Sequence, residues 1–145
     1  MTEAQASVHA TAVLVGAKAV LVRGPSGSGK SQLALRLLQS LSFARLIGDD
    51  RVYLQAANGR LLVRPAKELA GMLEVRGLGI RRLPFESVAV VGLVLDLATH
   101  AERMPGPSAT QTELAGVLLP RLGLPPDTDP LPTVLAALSG PVGGN

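Results

Sequence analysis

Cysteine and tryptophan are absent from the 145-residue chain, and aromatic residues make up only 2% of it. Without cysteine, disulfides and thiolate metal sites are excluded, which fits a cytoplasmic protein. With so few aromatic rings, base-stacking platforms are scarce. Lysine is also rare: only Lys18, Lys30 and Lys67 occur, and arginine supplies the other cations. The arginines are scattered apart from Arg81-Arg82, so the net charge of +3 describes a solvated surface and not a nucleic-acid face. Such a mild positive field favours an anionic nucleotide or an acidic partner. No apolar run reaches about 18 residues, the length a membrane helix needs, so no membrane partner is expected. The opening MTEAQASVHA carries an acid and no basic residue ahead of the first apolar run, which argues against a secretory signal. No internal repeat is found. What remains is a chain that is 47% apolar with a mean hydropathy of +0.33, enough for one core and one α/β domain over residues 1–145.

Residues 8–15 (VHATAVLV) and 19–24 (AVLVRG) are apolar, rich in β-branched residues and separated by a GAK turn. They predict a hairpin or two adjacent strands leading into a Gly-rich loop. The segment KSQLALRLLQSL has apolar residues at Leu33, Leu35, Leu37, Leu38 and Leu41 and predicts a helix packed by one face. ARLI reads as a short buried strand ending in GDDR, and RVYLQAANGRLLVR as a hairpin around Asn58-Gly59. AKELAGMLEVRGLGI predicts a short helical stretch running into a Gly-rich loop. SVAVVGLVLDL, the most apolar stretch, predicts a central strand. From Met104 onward Pro and Gly become frequent. LPPDTDPLP (124–132) predicts a turn segment, TVLAALSG a last helical turn, and GPVGGN a mobile tail.

The chemistry starts at GPSGSGKSQ. Gly24, Pro25, Ser26, Gly27, Ser28, Gly29, Lys30 and Ser31 match the P-loop pattern, with a strand before and a helix after. Glycines let backbone N–H groups turn inward and approach phosphate oxygens, and the helix N-terminus adds a positive dipole end. Lys30 is placed for the β- and γ-phosphates of ATP, and the Ser31 hydroxyl for Mg²⁺. The motif selects a nucleotide; it does not select the chemistry that follows.

Two adjacent carboxylates, Asp49 and Asp50, end the strand after that helix. One suits a place near the metal. The other suits accepting a proton from an attacking hydroxyl, as phosphoryl transfer to an alcohol requires. Asp96, which ends VAVVGLVLD, is a competing metal carboxylate and ranks second.

VHATAVLVGAKAVLVRGPSGSGKS, LIGDDRV and LEVRGLGI together closely resemble the C-terminal catalytic domain of HPr kinase/phosphorylase, strongly over about residues 8–80, more weakly to Arg103 and poorly beyond. The Glu-x-Arg-Gly-x-Gly pattern at Glu74–Gly79 is the specific part. LIGDDRV also resembles phosphoenolpyruvate carboxykinase, whose nucleotide core is similar. The resemblance implies a P-loop domain with a mixed β-sheet and flanking helices. It implies an ATP- and Mg²⁺-dependent protein-serine kinase acting on the small HPr-type phosphocarrier of the sugar phosphotransferase system. His9 corresponds to the catalytic histidine, placed on the strand before the loop. Asp50 corresponds to the acid-base aspartate, with Asp49 its neighbour, and Ser31 and Glu74 to magnesium ligands. Arg76, Gly77 and Gly79 fall in the segment tied to catalysis, and Arg103 corresponds to an active-site arginine. His100 reads as a surface histidine. A homo-oligomer is implied, as the family forms hexamers.

The departures are specific. Family members with the full length carry an N-terminal domain of about equal size, so the resemblance implies a short form of the alphaproteobacterial type. The residue after the P-loop serine is usually acidic and here is Gln32, which keeps a carbonyl oxygen but lowers the charge beside the metal. Ala10 stands where glycine follows the catalytic histidine. The Pro-Gly-Arg-Asn-type segment that supports dephosphorylation has no counterpart in LLPRLGLPPDTDPLPTVLAALSG, so phosphorylase activity is not expected. Two alternatives stay open here. One is a small-molecule P-loop kinase with a pocket lined by residues 64–85. The other is a non-catalytic ATP-binding regulator docked on a signalling protein such as a two-component sensor kinase.

Overall fold

Alternation along the apolar runs decides which side chain faces which layer. The computed structural model describes residues 5–99 and 110–139. Strands β1 (Ala6–Val8), β2 (Thr11–Val15) and β3 (Lys18–Arg23) come first, followed by helix α1 (Lys30–Ser40). Then come β4 (Ala44–Gly48), β5 (Val52–Ala57), β6 (Arg60–Pro65), β7 (Met72–Val75), β8 (Gly79–Arg82) and β9 (Ala89–Asp96). β10 (Gln111–Leu114), β11 (Val117–Gly123) and helix α2 (Leu131–Leu138) close the described chain. The architecture is mixed α/β, as expected.

Among the described residues, nine strands form one sheet along the order β1-β5-β6-β9-β3-β2-β4, with β11 joined to β9 and β10 to β11. Among the described residues, β7 and β8 pair with each other as a separate two-stranded sheet. β9 is central, as predicted. β3 lies parallel along one edge of it, while β6 pairs with its start and β11 with its end. Because β2 runs antiparallel to both β3 and β4, those two strands and β9 all point the same way. Their carboxyl ends therefore share one rim of the sheet, the usual place for a ligand in an α/β fold.

The two faces of β3 feed two cores. Ala19 and Leu21 pack with Ile47, Leu54, Leu61, Val63, Val91 and Val94 inside the curl of the sheet. Val20 and Val22 pack with Leu95, Leu33 and Leu37 of α1 and Val134 of α2. Such period-two alternation with both faces buried accounts for the near-continuous apolar run of β3. Full burial of Leu33 and Leu37 stabilises the α1 contact by roughly 1.5–3 kcal/mol each. An ion pair between Arg36 and Asp129 ties α1 to the turn before α2, and Asp129 also accepts a hydrogen bond from the Leu131 amide at 3.1 Å.

Three expectations change. AKELAGMLEVRGLGI is not a short helix: a single 3-10 turn at Lys67–Leu69 gives way to the β7–β8 hairpin. There Leu73 is buried and Glu74 exposed, a period-two pattern, and Gly77 and Gly79 supply the positive φ that the turn needs. QTELAGVLLPRLG forms the hairpin β10–β11, which the sequence reading passed over. Its turn sits on Ala115 (φ 50°) and Gly116 (φ 79°), a pair that lacks the usual turn signature of Asn-Gly. α2 starts at Leu131, inside the segment read as a turn, and runs to Leu138. The Asn58-Gly59 hairpin is present, with φ of 53° and 76°. The tail GPVGGN, His100 and Arg103 lie outside the described residues.

Candidate active site

β3 ends at Arg23 and releases the chain into the loop that α1 closes. Gly27 (φ 81°) and Gly29 (φ 99°) take backbone conformations open to glycine. At Gly24 the limit is space, since a Cβ would lie 2.5 Å from the Ser28 hydroxyl oxygen. The Ser28 amide donates to the Pro25 carbonyl at 3.0 Å and tightens the loop. No side chain caps the N-terminus of α1 and no acid lies in its first turn. The arrangement is an anion cradle of backbone amides at a helix N-terminus. Lys30 Nζ reaches back across it and donates to the carbonyls of Gly24 (2.8 Å) and Pro25 (3.3 Å).

β4 brings the aspartate doublet to the same rim. Asp49 is buried, at 7% exposure, and both of its carboxylate oxygens accept hydrogen bonds. The Ser31 hydroxyl donates to Oδ1 and Oδ2 at 2.7 and 2.9 Å, and the Thr11 hydroxyl donates to Oδ1 at 2.8 Å. Asp50 has the opposite setting. It is exposed, adopts a left-handed backbone (φ 69°), and its side chain makes no hydrogen bond to the described residues. The Arg51 amide donates to the Asp49 carbonyl at 2.7 Å, making the tight bend that throws Asp50 outward.

The β7–β8 hairpin completes the wall, anchored beside α1 by the buried Leu73. A cavity of about 430 Å³ is lined by Ser26, Gly27, Gly29, Lys30 and Ser31 of the loop, by Thr11, Asp49 and Asp50, by Glu74, Val75 and Arg76 of the hairpin, and by Gln32 and Leu35 of α1. Most of the residues singled out in the sequence thus converge. His9 does not: it is exposed at a bend between β1 and β2 and does not line the cavity, and the strand before the loop is β3. The role of Arg103 lies outside the described residues. Thr11 was missed; the available signal was a lone hydroxyl within an otherwise apolar strand.

Asp96 sits on the same rim but on the far side of β3 from β2 and β4. It accepts from Arg23 Nε and Nη2, each at 2.8 Å, and from Arg121 Nε. Partial burial pushes its pKa up, but the hydrogen bonds and charges of the two arginines outweigh this and hold it below the usual carboxylate value. It does not line the cavity. The doublet, and not Asp96, faces the phosphate loop.

With this geometry in view, similarity to known proteins is decisive. The family described as the HPr Serine kinase C-terminal domain matches residues 2–84. The chain belongs to this family. HPr kinase/phosphorylase of Streptococcus thermophilus is 35% identical over 136 residues, covering 84% of this chain and 43% of that protein. The enzyme of that name from Clostridium beijerinckii is 44% identical over 73 residues, half of this chain and 24% of that one. The chain thus spans less than half the length of these curated relatives. The solved structure of the Hpr(Ser) kinase/phosphatase from Coxiella burnetii superposes with a TM-score of 0.74 at 23% identity, covering 92% of this chain and 93% of that one. At that identity it establishes the HPr kinase C-terminal fold for this chain, including the curled sheet and few helices.

Proposed function

We propose that residues 1–145 form one catalytic domain, an ATP- and Mg²⁺-dependent protein-serine kinase whose acceptor is an HPr-type phosphocarrier protein. The observation that carries this reading is the division of labour in the doublet. Asp49 has its oxygens occupied by Thr11 and Ser31, whereas Asp50 stands free at the mouth of the same cavity. A buried carboxylate held by two hydroxyl donors is out of reach of an incoming hydroxyl; an exposed, unengaged one lining the same cavity is suited to take the proton of an incoming serine hydroxyl.

The donor set fits a magnesium ion. The Ser31 proton goes to Asp49, so the Ser31 lone pairs stay available, and Glu74 lines the same cavity. Among the described residues no group of three or more acidic or histidine side chains is able to cage a metal by itself. Magnesium is normally held by one or two protein groups with phosphate oxygens and water, so a small donor set is what it needs. When bound it neutralises charge on the β- and γ-phosphates. This chain's residues do the rest. The loop amides and Lys30, released from the Gly24 and Pro25 carbonyls, cradle the phosphates. Ser31 and Glu74 would hold the cation, and Asp50 would take the proton as the serine oxygen attacks the γ-phosphorus in line, the bond to the β-phosphate oxygen breaks and ADP leaves.

The acceptor side favours a protein over a metabolite. The hairpin rim next to Glu74 and Arg76 leaves Leu78 and Ile80 exposed at 63% and 64%. Apolar side chains at an open rim suit a macromolecular surface laid across it. No helix of the described residues is long and apolar enough to cross a membrane. A cytoplasmic location belongs to this reading, and no phosphorylase activity is assigned.

The test is the intact mass of an HPr-type protein after incubation with this chain, ATP and Mg²⁺. One added phosphate is expected, and none on an acceptor whose target serine is replaced by alanine. Unchanged mass, with ATP still bound by this chain, would overturn the assignment of the acceptor.

A further inference from the structure

Thr11 is fully buried at the start of β2, and its neighbours Ala12 and Val13 are buried with it. A hydroxyl in such a place persists when it has a partner, and this one has the Asp49 carboxylate at 2.8 Å. Oδ1 of Asp49 is thereby gripped from the sheet side by Thr11 and from the helix side by Ser31. With one oxygen pinned from two directions, rotation of the carboxylate is blocked and both oxygens stay on the Ser31 hydroxyl, at 2.7 and 2.9 Å. A serine hydroxyl has a single proton. While Asp49 holds it, the Ser31 lone pairs must turn elsewhere, and Ser31 lines the cavity. The chain of contacts thus runs from an apolar strand, through a buried carboxylate, to the one hydroxyl of the phosphate loop placed for a cation.

We propose that Thr11 is a positioning residue for the cation: by fixing Asp49 it fixes the Ser31 hydroxyl, and so sets how strongly Mg²⁺ tightens ATP binding. This rests on the reading of Ser31 as a cation-facing hydroxyl. It adds a residue and a coupling which that reading does not contain. Thr11 lines the same cavity, but its hydroxyl is directed to Asp49, so its role runs through that carboxylate.

The test is titration of a fluorescent ATP analogue onto the full chain, first in EDTA and then with rising Mg²⁺, for the native protein, Thr11→Val and Thr11→Ser. Valine keeps the shape and removes the donor; serine keeps the donor. Loss of a hydrogen bond to a charged group predicts that Thr11→Val needs about tenfold more Mg²⁺ to reach tight binding. Its affinity in EDTA stays within about twofold of native, which also reports an intact loop. Thr11→Ser returns to within about threefold of the native Mg²⁺ midpoint. An unchanged midpoint in Thr11→Val overturns the proposal. So does a serine variant as impaired as the valine variant, or a valine variant that has lost metal-free binding. Ser31→Ala, run alongside, tells the two failures apart: an unchanged Mg²⁺ midpoint in Ser31→Ala overturns the reading of Ser31, whereas a raised midpoint in Ser31→Ala with an unchanged one in Thr11→Val overturns the role of Thr11 alone.

Discussion

Two neighbouring aspartates with opposite surroundings show how much a single position in the backbone decides. Asp49 directly follows β4 on the buried side and meets two hydroxyls; Asp50, turned by its left-handed φ, meets solvent. Asp96 shows a third fate, as the centre of an ion-paired cluster with Arg23 and Arg121. Its depressed pKa makes it a stabilising group whose contribution is complete above the ordinary aspartate value of 3.8 and is lost as pH falls through the lower folded value. Thermal melts from pH 7 to pH 3 of the native protein and Asp96→Asn check this. The variant is expected to be less stable by about 2 kcal/mol near neutral pH, the scale for breaking a half-buried charged pair. The gap should narrow only below about pH 4, where the carboxylate of the unfolded chain starts to take up a proton, and close as pH falls through the lower value of the native one. A gap that stays constant down to pH 3 would show that the arginines do not hold the charge.

At the scale of elements, the β7–β8 hairpin controls the side of the site opposite the loop. It hangs on Gly71, whose φ is 76° and whose carbonyl accepts the Leu83 amide at 2.7 Å. A Cβ there would lie 3.0 Å from the Leu83 carbonyl oxygen and from the Phe85 ring. Gly71→Ala is therefore expected to lower stability by about 1–3 kcal/mol, read as a shifted urea midpoint. It should weaken Mg²⁺-dependent ATP binding through displaced Glu74 while leaving the cradle in place. A variant with native midpoint and native affinity would separate the hairpin from the site. The same element shows where sequence reading stops. The phosphate loop, α1 and the Asn58-Gly59 hairpin were legible because each carries its own local signal: spacing, helical period or a turn dipeptide. β7 was hidden because the helix-forming AKEL stands directly ahead of it; AKEL makes only a 3-10 turn, and MLEV becomes a strand through its pairing with β8. β10–β11 was hidden because Ala115-Gly116 is no familiar turn. His9 was assigned to the strand before the loop, whereas β2 intervenes. Thr11 was illegible because its partner is 38 residues away, and only the β2–β4 pairing brings them together.

For the whole molecule, the decisive feature is direction. β3 and β4 point the same way and β2 runs against both, so the carboxyl ends of two strands and the start of the third meet at one rim. Loop, doublet and Thr11 come from those ends, while Asp96 at the end of β9 falls on the other side of β3. Two cores, one inside the curl and one beneath the helices, hold that rim fixed. Phosphoryl transfer needs just such a rigid frame, because its catalysis is chiefly positioning and electrostatics. The central claim is that Asp49 serves the metal side and Asp50 takes the proton. The most direct measurement compares Asp50→Asn with the native chain in a single-turnover transfer from ATP to an HPr-type acceptor, alongside ATP affinity in Mg²⁺. The account predicts affinity within about threefold of native and a transfer rate lower by about 10²–10⁴-fold, the usual contribution of a positioned base. Near-native transfer by Asp50→Asn would contradict it.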